Sequence, residues 1–157
     1  RLGARLRPYY WDKDLVPKIG FLRNIRIRNI EVDIGEKSWR EILLEHGIPD
    51  AELATDRPEA PYDSCISGLP GHLVENVLIE GLRVRVPGGV KSIPVAAEIP
   101  ERPEAYPHAG NFGVLPAHGI FIRHAKNVTL RDIVFETARP DARPPIAELD
   151  TQGFTVE

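Results

Sequence analysis

The sequence predicts an all-β chain wound as a parallel coil of about four turns, broken by two long loops and one short helix. Three observations carry this expectation. First, three nine-residue segments align without a gap: Asn24-Ile25-Arg26-Ile27-Arg28-Asn29-Ile30-Glu31-Val32, Asn76-Val77-Leu78-Ile79-Glu80-Gly81-Leu82-Arg83-Val84 and Asn127-Val128-Thr129-Leu130-Arg131-Asp132-Ile133-Val134-Phe135. Second, each alternates apolar with other residues, the period of a strand, and its β-branched residues suit a pleated surface. Third, the alternation slips once per segment, at Asn29, Gly81 and Asp132. These residue types tolerate left-handed backbone geometry best, so each segment is expected to be two short strands joined by a tight bend.

The repeats start 52 and 51 residues apart, at Asn24, Asn76 and Asn127, too far for a bare coil. Extra loop must therefore fill each interval. A shift of 26 residues aligns Asn127 with Gly153, Val128 with Phe154 and Leu130 with Val156, which begins a fourth turn. Ile25, Ile27, Val77, Ile79, Val128 and Leu130 are then expected to stack as inward ladders. A sandwich of hairpins is the alternative, but no Asn-Gly or Asp-Gly pair links two alternating runs.

The first loop, residues 35–62, contains the helix. Ser38 and Glu41 have the spacing of a capping box, Trp39, Ile42 and Leu43 form an apolar stripe, and Gly47 before Pro49 stops it. The second loop, residues 87–117, carries Pro87, Pro94, Pro100, Pro103, Pro107 and Pro116. Its Tyr106, Phe112 and Leu115 argue that it packs against the coil rather than waving free.

Composition bounds the reading. The 157 residues make room for one domain, 1–157, and 42% hydrophobic residues can fill a core. A net charge of −3 does not make the chain a counter-ion for nucleic acid or for an anionic membrane. No apolar run approaches the ~20 residues of a membrane-spanning helix. A single cysteine, Cys65, excludes an intrachain disulfide and a Cys-based zinc cage. The chain has no Met, and the basic start from Arg1 to Arg7 leads into no apolar run. It is expected to be a portion of a longer protein.

No local motif announces chemistry. His118 and His124 stand six apart and can share a side, but the spacing is no metal pattern; His46, His72 and His108 lie in separate loops. All five read as structural or surface histidines. Ser64-Cys65 lacks the turn of a nucleophile elbow, Gly88-Gly89 is a turn rather than a phosphate loop, and Arg23, Arg26 and Arg28 decorate an outer strand face. Glu98, Glu101 and Glu104, three apart in the proline loop, read as a solvated face. No metal or other cofactor is expected.

Longer stretches resemble a known family. Ile66-Ser67-Gly68-Leu69-Pro70-Gly71-His72, leading into Glu75-Asn76-Val77, resembles the approach to a coil in family 28 glycoside hydrolases, the polygalacturonase group. The run from Tyr106-Pro107 through Phe112-Gly113 to Leu115-Pro116-Ala117-His118-Gly119-Ile120-Phe121-Ile122-Arg123-His124 is similar to a late segment of the bacterial members. Asp141-Ala142-Arg143-Pro144-Pro145 is similar to the stretch that follows it. The resemblance implies a right-handed parallel β-helix of the pectin-lyase-like kind and hydrolysis of pectic polymers rich in galacturonic acid. It also implies secretion or export to the periplasm.

In that family one carboxyl protonates the leaving oxygen while another activates water on the opposite face, with inversion. The residues sit in an Asn-Thr-Asp segment and an Asp-Asp pair, with Gly-His-Gly and Arg-Ile-Lys downstream. None of these motifs occurs here. Gly71-His72 runs on into Leu73, Ala117 precedes His118-Gly119, and Arg26-Ile27-Arg28 belongs to a repeat. No catalytic residue is therefore assigned, and the chain is expected to be a C-terminal portion whose missing N-terminal coils bear the carboxylates. The resemblance does imply a substrate contact near Pro8-Tyr9-Tyr10-Trp11-Asp12-Lys13, where Tyr9 or Tyr10 can stack on a sugar and Lys13 or Arg7 can pair with a uronate. Gap-filling under a neighbouring loop explains the same aromatics. Two rivals stay open: a calcium-dependent pectate-lyase relative, and a non-catalytic β-helix that binds polysaccharide.

Overall fold

A computed structural model describes residues 19–37, 39–49, 64–105 and 109–157. The first strand, β1 (Leu22–Asp33), is followed by helix α1 (Trp39–Glu45), then β2 (Ser64–Ser67) and β3 (Val74–Gly88). A 3₁₀ turn at Ala96–Glu98 and the one-turn helix α2 (Ala109–Phe112) lie in the proline loop. The chain closes with β4 (Ile120–Arg139) and β5 (Ile146–Val156).

Among the described residues every strand pairing is parallel and most residues lie in strands, and the sheet is curled: β3 lies between β1 and β4, while β4 also pairs with β5 and, along its first residues, with β2. Strands β2 and β3 together line one side of β4, separated by a turn closed by two backbone bonds between Leu69 and His72.

The register is the one the repeats predict. Ile25 pairs with Val77, Val77 with Val128 and Val128 with Phe154; Ile27, Ile79, Leu130 and Val156 form the next column. Val77, Ile79, Val128 and Leu130 are buried, and Ile25 and Ile27 pack half-buried against them. Among the described residues β1 has a neighbour on one side only, so its Ile30 and Val32 are exposed.

The bend residues are left-handed, with φ of 54° at Asn29, 64° at Gly81 and 51° at Asp132. The strands do not end there as two short pieces, because the parallel ladder continues on both sides of each bend. A second left-handed column was not expected: Asn24, Asn76, Asn127 and Gly153 have φ of 59°, 55°, 54° and 66°. Single left-handed residues among extended ones turn the chain sharply, and their alignment across strands curls the whole sheet rather than breaking it.

Helix α1 forms where its apolar stripe and stop signal place it. Gly47, at φ 79°, closes it, with bonds from the Gly47 amide to the Leu44 carbonyl and from the Ile48 amide to the Leu43 carbonyl. Ser38 lies outside the described residues. The proline loop packs as its apolar residues suggest: Ile99, Phe112 and Leu115 form a second buried cluster with Cys65 and Phe121. Tyr106 lies outside the described residues.

Candidate functional site

The substrate-contact residues inferred from the resemblance, Arg7, Tyr9, Tyr10 and Lys13, lie outside the described residues. Two other arrangements stand out.

The first is a depression of about 480 Å³ on the strands, lined by Asn24, Asn76 and Asn127 with Arg26, Thr129 and Arg131. The left-handed backbone at each asparagine brings the three amides into one column. Asn76 Nδ2 donates to Asn24 Oδ1 at 3.0 Å, and Asn127 Nδ2 donates to Asn76 Oδ1 at 3.0 Å. The column ends at Gly153, where an added Cβ would stand 3.0 Å from Asn127 Oδ1. Arg26 projects outward, as the strand period places it, and makes no ion pair among the described residues. Arg131 donates through Nε to Glu157 at 2.8 Å and stands 3.8 Å from Glu80. Glu80 also pairs with Arg28 at 2.9 Å, so the outer charges of neighbouring strands largely satisfy one another. Amides beside guanidinium groups suit a ligand that carries both hydroxyls and carboxylates.

The second arrangement overturns the solvated reading of Glu101. Glu98 and Glu104 are exposed, but Glu101 is half-buried against β4, with Oε1 2.9 Å from His124 Nε2. His124, only 7% exposed, also places Nδ1 2.6 Å from Asp150 Oδ2 on β5. Beside it Arg123 is almost wholly buried: Nε donates to Ser67 Oγ at 2.8 Å, and the two terminal nitrogens donate to the Ile99 and Pro100 carbonyls at 2.7 and 2.8 Å. Burial pushes its guanidinium below the ordinary value, while the charge of Glu101 pushes it back. Arg123 therefore ties the proline loop to the strands.

The two carboxyls around His124 are bridged by its imidazole. Inverting hydrolysis needs two carboxyls about 6.5–9.5 Å apart with water and a glycosidic oxygen between them. Here the imidazole fills the gap and engages both.

His118 is buried near Asp141 and Arg143, its Nδ1 without a hydrogen-bond partner among the described residues and its backbone amide bonded to the Pro144 carbonyl at 3.0 Å. Burial lowers its proton affinity, the Asp141 charge raises it and Arg143 lowers it, with a net shift downward. His46 and His72 are exposed, and His108 lies outside the described residues. Sequence reasoning missed the Glu101–His124 contact, although the 26-residue shift already placed Asp150 beside His124. No protein-family model, curated protein or solved structure matches the chain.

Proposed function

We propose that the chain is a run of coils from a right-handed parallel β-helix of the polygalacturonase kind, and that it binds galacturonate-rich pectic chains. The carboxylates that cut them lie outside this chain. The parallel register at spacings of 52, 51 and 26 residues supports the architecture. The observation that carries the binding reading is the depression in which an amide column stands between Arg26 and Arg131. A pectic chain presents hydroxyls to amides and carboxylates to guanidinium groups. The His124 imidazole between Glu101 and Asp150 favours binding without turnover.

The test is titration of the 157-residue chain with polygalacturonate, and with its methyl ester, at low and high salt. Binding to the acid form, weakened by esterification, by salt and about tenfold by Arg26→Ala with Arg131→Ala, is the expected result. Binding unchanged in that double variant sinks the assignment of the face, and new reducing ends released by the chain sink the claim that it does not cut.

A further inference from the structure

The outward charges of the curled sheet follow a rule from strand to strand. Arg28 on β1, Glu80 on β3, Arg131 on β4 and Glu157 just past β5 stand side by side. Arg28 lies 2.9 Å from Glu80, and Arg131 lies 2.8 Å from Glu157. Arg23, Glu75 and Lys126 form a second column, and Asp33, Arg85 and Glu136 a third, with Arg85 3.4 Å from Asp33. Glu31 beside Arg83 makes a fourth pair. Sign alternates in every column, and no two like charges meet in any strand pairing among the described residues. Opposite charges on neighbouring strands stabilise a pairing and like charges oppose it, so the alternation favours this register over its rivals.

The series stops at β1. Among the described residues β1 pairs with β3 alone, so its other edge keeps unbonded backbone groups. Its side chains are unfinished in the same direction. Ile30 and Val32 are exposed, whereas their partners on β3 are half-buried Leu82 and buried Val84. Asn24 accepts from Asn76 through Oδ1, but among the described residues its own Nδ2 donates to no group, so the amide column ends in an open donor. No proline interrupts Leu22–Asp33, and its charges fall in two blocks, with Arg23, Arg26 and Arg28 before Asn29 and Glu31 and Asp33 after it.

We infer that the free edge of β1 is a docking edge for one further parallel strand, acidic beside Arg23 and Arg28, with asparagine beside Asn24, and basic beside Glu31 and Asp33. Apolar residues of that strand lie over Ile25, Ile27, Ile30 and Val32. Such a strand continues all four charge columns, accepts the bond that Asn24 Nδ2 offers and covers the exposed Ile30 and Val32. A strand slipped by one residue turns its apolar set outward and loses every one of these matches. Within the chain, β3 has this pattern in Glu75, Asn76, Glu80, Arg83 and Arg85, and it already meets β1 from the other side. The docking edge rests on the reading of the chain as a run of coils, whose neighbouring coil supplies the strand, and not on pectin binding.

The probe is a synthetic peptide with the sequence of residues 74–85, added to the full 157-residue chain and read by amide hydrogen exchange at single residues. Saturating peptide is expected to slow exchange about tenfold at the β1 amides that β3 leaves unbonded, with the Leu130 amide unchanged. A peptide with its charges reversed by Glu75→Arg, Glu80→Arg, Arg83→Glu and Arg85→Glu is expected to bind about tenfold more weakly. Equal affinity of the two peptides overturns the charge pattern, and β1 exchange unmoved by the native peptide overturns the docking edge. A dimer in sedimentation that protects β1 without peptide gives the edge to a second copy and overturns the proposal as well. Each of these outcomes is read at β1, whereas the pectin reading fails only in the titration with polygalacturonate, so the two failures are distinct.

Discussion

Asn76 Nδ2 lies 3.0 Å from Asn24 Oδ1, joining side chains 52 residues apart in the chain. The contact exists because both residues are left-handed at the same point of adjacent parallel strands. Asn127 repeats it on the other side, so Asn76 both donates and accepts.

Replacing this central member tests the column. Asn76→Ala removes two bonds, worth roughly 0.5–1.5 kcal/mol each and nearer the low end for exposed amides. It also puts alanine at φ 55°, where a side chain with no local hydrogen bond costs about 1 kcal/mol. A loss of about 2 kcal/mol is expected from the shift in urea midpoint at constant slope. Asn76→Gly loses the bonds but not the backbone preference, and should cost less. Equal losses in the two variants would show that the backbone contributes nothing.

The neighbouring bend offers a coupled pair. A Cβ at Gly81 would stand 2.9 Å from Asn29 Oδ1, and Gly81 itself has φ 64°. Gly81→Ala is expected to cost about 1–2 kcal/mol. In an Asn29→Gly background the crowding oxygen is gone, so the same change should cost some tenths of a kcal/mol less. Asn29→Val, a β-branched side chain at φ 54°, should destabilise far more than Asn29→Gly. Additive effects of Gly81→Ala and Asn29→Gly would show that the two residues do not crowd one another.

Arg143 and Asp141 clamp the end of the proline loop. Both side chains are almost wholly buried, with Arg143 Nε 2.9 Å from Asp141 Oδ1 and Nη1 donating to the Leu115 and Ala117 carbonyls. Burial raises the proton affinity of Asp141, but the hydrogen bonds and charge of Arg143, with the Val90 amide, outweigh it and hold the carboxyl below its ordinary value. A carboxyl depressed on folding adds stability above its unfolded value, about 3.9, and that stability is lost as pH falls through the folded one. Asp141→Asn should therefore flatten the acid limb of the stability curve relative to wild type. Arg143→Met leaves the carboxylate buried without its cation and should cost about 3–5 kcal/mol at neutral pH. A cost below about 1 kcal/mol would show that the clamp is not a stabilising pair.

The inward ladders and the bends were legible because they rest on local facts: strand period, and the residue types that accept positive φ. The same Asn24, Asn76 and Asn127 that mark the repeats also make the amide column, but no local pattern shows that an asparagine will be left-handed rather than merely recurrent. Asp150 beside His124 follows from the 26-residue shift. Glu101 does not, since its place depends on Arg123 capturing the carbonyls of Ile99 and Pro100, a long-range contact without a period. The burial of His118 was not read either, although the bond from its amide to the Pro144 carbonyl falls on that same 26-residue shift.

His118 itself provides the last test. Its buried Nδ1 has no partner among the described residues, and burial, the largest influence on it, holds the folded imidazole's proton affinity below the ordinary value. The unfolded chain takes up a proton near the ordinary value of about 6.5, whereas the folded chain does so only at lower pH. Between those two points the unfolded state binds more protons, so stability is full above about 6.5 and is lost as pH falls toward the folded value. His118→Leu deletes both the titration and the unpartnered nitrogen. At about pH 8 the variant should lie within about 1–2 kcal/mol of wild type, because no side-chain bond from Nδ1 is lost. On acidification from there toward about pH 5, wild type should lose ground steadily to the variant in urea midpoints measured at matched pH. A gap between the two that stays constant over that range would mean that His118 protonates as readily folded as unfolded.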